Sequence, residues 1–426
     1  MCASWKKGYQ HGELIDEFEK LRLADGETRK DVFRASGGES TVSFDGFQIQ
    51  DLLAVTISAI DFDEEIPELR RRRIVTQAVF KIAARHTLSS RNLLASINRL
   101  ESEWKAADLK RYTFLSSMSV KYFYRLRRVN ARGITITFND ESPSEIEQTD
   151  VGRRSEFSIH SSLPKDYTNV RAFVDARDED EASEFAFDAI DLIRGIWCYY
   201  FNSRKWSRES QIPTEVNDIK LGPLHLLRES PKRWWFDPDY PGHVKPKNIE
   251  KEWYYLKKFQ HSVQRDLRES NFGRDLEEAI IRYVRALDER NLDTAFLRLW
   301  GVLEYLTDTT EMPYKHTVQR AAFAYPEVPF LHTQTLAHLR NYRNLSVHRG
   351  EHSRDVERFV FQLKRYVEHL LWYLLRKGRP FATLKEASEF LDLSPYPDEL
   401  DERISDARSR LDMLKRARRF RENVTS

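Results

Sequence analysis

Cysteine is nearly missing from this chain: two of 426 residues, Cys2 and Cys198. That excludes a disulfide framework and a cysteine-rich zinc site, and fits a reducing compartment. Long apolar runs are missing as well. No stretch approaches the roughly 20 apolar residues of a spanning helix, and the opening residues Cys2, Ala3, Ser4, Trp5, Lys6 and Lys7 run into charge without an apolar core. A soluble cytoplasmic protein with no membrane partner is therefore expected. Residues 1–202 contain no phosphate-cradling glycine loop, no Walker-type lysine and no internal repeat, so nucleotide hydrolysis of that kind is excluded there. Charge of one sign is lacking too: 69 Lys plus Arg stand against 67 Asp plus Glu, for a formal net charge of +2. Any nucleic-acid contact must then rest on local patches. Three are visible: 70–73, an unbroken arginine run; 121–132, where cations interleave with Tyr122, Phe123 and Tyr124; and the cationic 415–421. Each reads first as a solvated face and second as a phosphate contact.

What is present sorts into an α+β chain long enough for two or three cores. In 1–202, β-rich runs occur at 40–48, 112–120, 133–138, 156–160 and 169–175, bounded by Gly, Pro and Asp. Helical periodicity covers 68–86, 89–107 and 179–201. The acidic cluster Asp178, Glu179, Asp180, Glu181 suits a helix start, where carboxylates meet the positive end of the helix dipole. Prolines concentrate in 203–248 around Trp234, Trp235 and Phe236, which predicts an ordered connector whose aromatics pin it to a domain. From 249 onward helical spacing dominates: 275–290, 292–307, 316–325, 331–347 and 354–375 form a bundle. A charged extension, 382–426, adds helices at 384–391 and 398–420. The expected domains are thus a mixed α/β unit at 1–202 with a sensing or regulatory role, the connector, an all-α bundle at 249–381, and the extension.

The densest chemistry lies in residues 340–350, Arg-Asn-Tyr-Arg-Asn-Leu-Ser-Val-His-Arg-Gly. Guanidinium, amide and imidazole groups within two helical turns can stabilise and protonate a reacting phosphate. Residues four apart share a helix face, so Arg340, Asn344 and His348 align, while Arg343 lies roughly 140° around from His348 on a regular helix. Loosening of the chain near Val347, ahead of the helix-ending Gly350, would let Arg343 and His348 converge.

Arg343 followed directly by Asn344 and, after four intervening residues, by His348 resembles the signature of the HEPN ribonuclease superfamily, and the chain is most similar to its Apea-like group. The apolar run 295–306, with Trp300 and Glu304, resembles the family's second helix; the likeness covers about 275–376. The resemblance implies a metal-independent endoribonuclease without cofactor. The RNA 2′-hydroxyl attacks the adjacent phosphorus, leaving a 2′,3′-cyclic phosphate and a 5′-hydroxyl. It implies a homodimer through the bundle that brings two motifs into one cleft, with His348 of each protomer as acid and base. Arg343 then stabilises charge and Asn344 orients the histidine or phosphate. Arg340 is a candidate second phosphate clamp, Arg349 a supporting cation, and Glu304 a partner for one of these arginines. The family setting implies RNA as partner, a role in bacterial anti-phage defence or as a toxin-like effector, and a phage or host trigger sensed by the N-terminal unit.

The alternative is a non-catalytic HEPN module for RNA binding or dimerisation, since residues 1–250 carry no catalytic signature. A second motif overlaps the first: His348-Arg349-Gly350-Glu351-His352 matches the inverted zinc-protease pattern, but it needs an unbroken helix through Gly350. His332, His338 and His369 read as helix-face or core residues, and Ser346 has no Asp-His relay.

Overall fold

The computed structural model describes residues 3–22, 32–37, 40–45, 48–63, 66–141, 143–157, 163–164, 166–205, 216–237, 240, 244–349, 353 and 355–422. Two large hydrophobic cores organise them. The first is built from β1 (Ser4–Trp5), α1 (His11–Leu21), β2 (Val32–Gly37), β3 (Ser40–Asp45), α2 (Gln48–Ser58), β4 (Ile60–Asp61), α3 (Glu68–Ala84) and α4 (Ser90–Lys105). Phe18, Phe44, Ile49, Ile74 and Ile97 are its sealed centre. β1 pairs with β4 and β2 with β3, both antiparallel.

The second core begins with β5 (Lys110–Met118), β6 (Arg128–Ala131), β7 (Ile134–Asn139), α5 (Ser144–Phe157), β8 (Thr168–Ala176), α6 (Glu179–Asn202), β9 (Leu224–Leu227) and β10 (Ser230–Phe236). The strands form one antiparallel sheet in the order β10-β9-β5-β8-β7-β6. Alternation sends Val170, Ala172 and Val174 to the α6 side, while Leu115, Leu224 and Leu226 meet Ile146 of α5 in a small third cluster on the other side. Helical elements follow: α7 (Trp253–Glu269), α8 (Gly273–Ala286), α9 (Leu292–Leu306), α10 (Tyr314–Phe323), α11 (Pro329–Arg349), α12 (Val356–Lys377), α13 (Leu384–Phe390) and α14 (Pro397–Glu422). Among the described residues no helix is long and apolar enough to cross a membrane.

The mixed α+β class holds, but the division of the chain differs from expectation. The expected connector 203–248 supplies β9 and β10, so it is part of the sheet. Proline density misled because prolines fit an edge strand: β10 lies at the sheet edge, contains Pro231, and slips register between Ser230 and Trp234. Trp235 packs on Phe114 and Phe187, while Trp234 and Phe236 face the third cluster, so the aromatics do act as anchors. The boundaries at 202 and 248 also fall inside one core, which runs from Tyr112 through α6 into the bundle as far as Leu391. Gly195 of α6 explains the closeness: a Cβ there would come within 2.7 Å of Ile280 on α8. Expected strand 156–160 meets α5 instead, whose last turn holds Glu156 and Phe157; 158–160 lie outside the described residues.

The acidic cluster at 178–181 does more than start a helix. Asp178 Oδ1 accepts the amides of Asp180 and Glu181, both at 3.0 Å. Its Oδ2 accepts from Trp104 Nε1 at 2.8 Å and lies 3.3 Å from Arg70, while Arg73 reaches Asp180 at 2.8 Å. The arginine run at 70–73 therefore joins the two cores. Arg70 and Arg73 serve as structural ion pairs, neither free in solvent nor positioned for phosphate.

Candidate functional site

α11 carries the whole Arg-x4-His spacing on one continuous helix that reaches Arg349. The expected loosening near Val347 is not found, because the helical backbone runs past it. Arg343 and His348 thus start about 140° apart around the axis and about 7.5 Å along it. The side chains of His348 and Arg349 lie outside the described residues, as do Gly350, Glu351 and His352.

Tyr342 fixes the helix in place. Buried, it packs edge-on against Phe296 of α9 at 4.9 Å and tilted against Phe359 of α12 at 4.8 Å, and its hydroxyl donates to Asp293. Burial and the Asp293 carboxylate push its phenol well above the ordinary value. Since 342 is an anchor, its neighbours 340, 341, 343 and 344 are displayed on the remaining circumference.

Arg343, half-buried, places its guanidinium carbon 4.4 Å from the ring centre of Tyr314 on α10. Glu304 of α9 lies near enough for the charge of Arg343 to act on it. Burial raises the carboxyl of Glu304 above its usual range, and the Trp300 hydrogen bond and Arg343 pull it partly back. The expected Glu304–arginine ion pair is not formed: Glu304 accepts from Trp300 Nε1 at 2.7 Å, four residues earlier on the same face. Among the described residues no carboxylate forms an ion pair with Arg340 or Arg343. Asn344 is half-buried, and its Oδ1 is sealed from solvent without a hydrogen bond among the described residues. A buried amide oxygen left open costs about 1–3 kcal/mol unless something donates to it.

Arg340 lines a cavity of about 470 Å³ between α10, α11 and the segment joining α13 to α14. Lys315, Arg403, Thr333 and Tyr396 share its wall with the carboxylates Asp392 and Glu399. Arg340, Arg343 and Lys315 thus line the seam of α10 and α11. The three histidines read as packing residues do pack. His332 stacks on Tyr325 at 4.0 Å and contacts the Tyr366 hydroxyl at 3.0 Å, His338 meets Phe359 edge-on, and His369 stacks on Tyr325 and bonds the Ala324 carbonyl at 2.8 Å.

Sequence reasoning missed Tyr314, Tyr342 with Asp293, Lys315 and Arg403. The four-residue spacing of Trp300 and Glu304 carries a signal for their bond that the expected pairing of Glu304 with an arginine passes over; no spacing rule links Arg343 to Tyr314, which sits on another helix. Geometrically, the site presents fixed positive charge and an amide beside a groove, with an imidazole position one turn beyond. Compared with known proteins, the chain matches no family model, no curated protein and no solved structure.

Proposed function

We propose that this chain is a metal-independent endoribonuclease of the HEPN type, acting as a homodimer through its bundle. One observation carries the reading: α11 displays Arg340 and Arg343 without a carboxylate partner among the described residues, next to an Asn344 amide oxygen that has no donor among them. Phosphate oxygens match a free guanidinium fork, whereas an arginine already closed by a carboxylate offers little to a substrate. The ring of Tyr314 holds Arg343 in position without neutralising it.

In the proposed reaction the 2′-hydroxyl attacks the neighbouring phosphorus, one His348 removes its proton, and the His348 of the second protomer protonates the departing 5′-oxygen. Arg343 and Arg340 offset the added negative charge of the phosphorane, and Asn344 orients an imidazole or a phosphate oxygen. Arg343 and His348 diverge on a regular helix, so the proposal has them reach one phosphate from two copies of α11. The family setting makes bacterial defence or toxin-like killing the context, with the N-terminal core as the restraint.

Purified wild type and His348→Ala, incubated with structured and unstructured RNAs in EDTA, test the proposal. Wild type should yield 2′,3′-cyclic phosphate and 5′-hydroxyl ends, and the variant none. Identical products from both would refute it; salt-sensitive RNA affinity without cleavage would favour a binding module.

A further inference from the structure

α14 is a 26-residue helix about 39 Å long, and every residue from 401 to 421 is exposed. Packing usually supplies most of a helix's stability, so a bare helix of this length calls for a partner. Its exposed surface is not uniformly polar. Leu400, Ile404, Ala407, Leu411 and Leu414 recur at alternating spacings of four and three, which forms an apolar seam along one side. Ile404, Leu411 and Leu414 are 47%, 50% and 60% exposed.

The charges flanking that seam are split by position. The first half holds Asp398, Glu399, Asp401, Glu402 and Asp406 against a single Arg403; the second holds Arg408, Arg410 and the cationic stretch 415–421 against Asp412 and Glu422. A parallel pair of such helices would set like halves side by side. An antiparallel pair sets each acidic half beside a basic one and layers Ile404 on Leu414 and Ala407 on Leu411 of the other copy.

We propose that α14 is a self-association arm, which pairs antiparallel with α14 of a second copy of this chain. This surface is separate from the bundle contact proposed above, and each can fail without the other.

Sedimentation of the full chain across micromolar concentrations tests it. Because every residue from 401 to 421 is exposed, substitutions there leave both cores intact. Leu411→Glu with Leu414→Glu should weaken self-association by at least about ten-fold, as should reversal of Arg416, Arg418 and Arg419 to Glu. Adding Asp398→Lys, Glu399→Lys and Glu402→Lys to that reversed chain should restore pairing, which a parallel arrangement would not predict. A dimer indifferent to all three sets would be the bundle dimer alone and would overturn the proposal. A chain monomeric throughout, whose RNA affinity falls on reversing the basic half, would assign the arm to nucleic acid and overturn it equally.

Discussion

The buried cations of the sheet-bundle junction and the cations of α11 are the same chemical groups put to opposite uses. At the junction Arg194 is sealed and closed by Asp191 at 2.6 Å and Asp288 at 2.7 Å. Arg285 bridges Asp188 and Asp191, and the sealed Lys364 meets Glu368 at 2.9 Å while donating to the Asn202 carbonyl at 2.7 Å. Tyr283 completes this last group by donating to Glu368. On α11, Arg340 faces a cavity and Arg343 lies on an aromatic ring. Charge that the fold has neutralised holds the fold together; a guanidinium with no carboxylate partner among the described residues has the donors that the proposed nuclease reaction requires.

If the contrast is sound, substitutions on its two sides should have different consequences. The largest loss of stability is expected at Arg194→Ala, which takes a buried cation from Asp191 and Asp288: about 3–5 kcal/mol by urea unfolding. A cost below 1 kcal/mol would mean the junction is not as closed as its distances say.

Next comes His225 of β9, buried with its ring nitrogen 2.8 Å from Ser116 Oγ of β5 and pushed down to about 4 by burial. Its folded value lies below the unfolded 6.5, so its contribution is complete above pH 6.5 and is lost as pH falls through about 4. Stability should decline by about 3 kcal/mol over that interval, and His225→Gln should flatten the pH profile. An unchanged slope in the variant would remove His225 as the cause.

A smaller effect is expected at Asp178→Ala, which deletes an N-cap and frees Trp104 and Arg70. About 1–2 kcal/mol should be lost, with proteolysis between the two cores accelerated. The smallest belongs to Glu304→Gln. Burial raises the carboxyl of Glu304, so its charged form opposes folding as pH rises from the ordinary carboxylate value. The variant keeps the Trp300 hydrogen bond and should match wild type near pH 4, then exceed it slightly at neutrality. A variant less stable than wild type at neutral pH would show that Glu304 serves the arginines after all.

Much of this was legible in the sequence where the physics is local. The Asp178 cap, helices α3, α4 and α6, and the bundle periodicity follow from spacing within one element, and the cationic face of α11 follows from the same rule. Non-local facts were not legible. The hydrophobic pattern that joins Tyr112 to Leu391 in one core carries no boundary mark at 202, and Pro231 reads as a linker until the strand is seen to lie on an edge. The arginine run at 70–73 reads as a solvated face, or second as a phosphate contact, until Asp178 and Asp180 are placed beside it. Nor does any sequence rule pair Arg343 with Tyr314.

The most direct test takes Arg343→Ala and measures two quantities on one preparation: the urea midpoint and the single-turnover rate of RNA cleavage in EDTA. An arginine reserved for substrate should leave the midpoint in place while the rate falls by about 10²–10³-fold. Equal rates, or a drop in stability like that of Arg194→Ala, would contradict the account and return Arg343 to the scaffold.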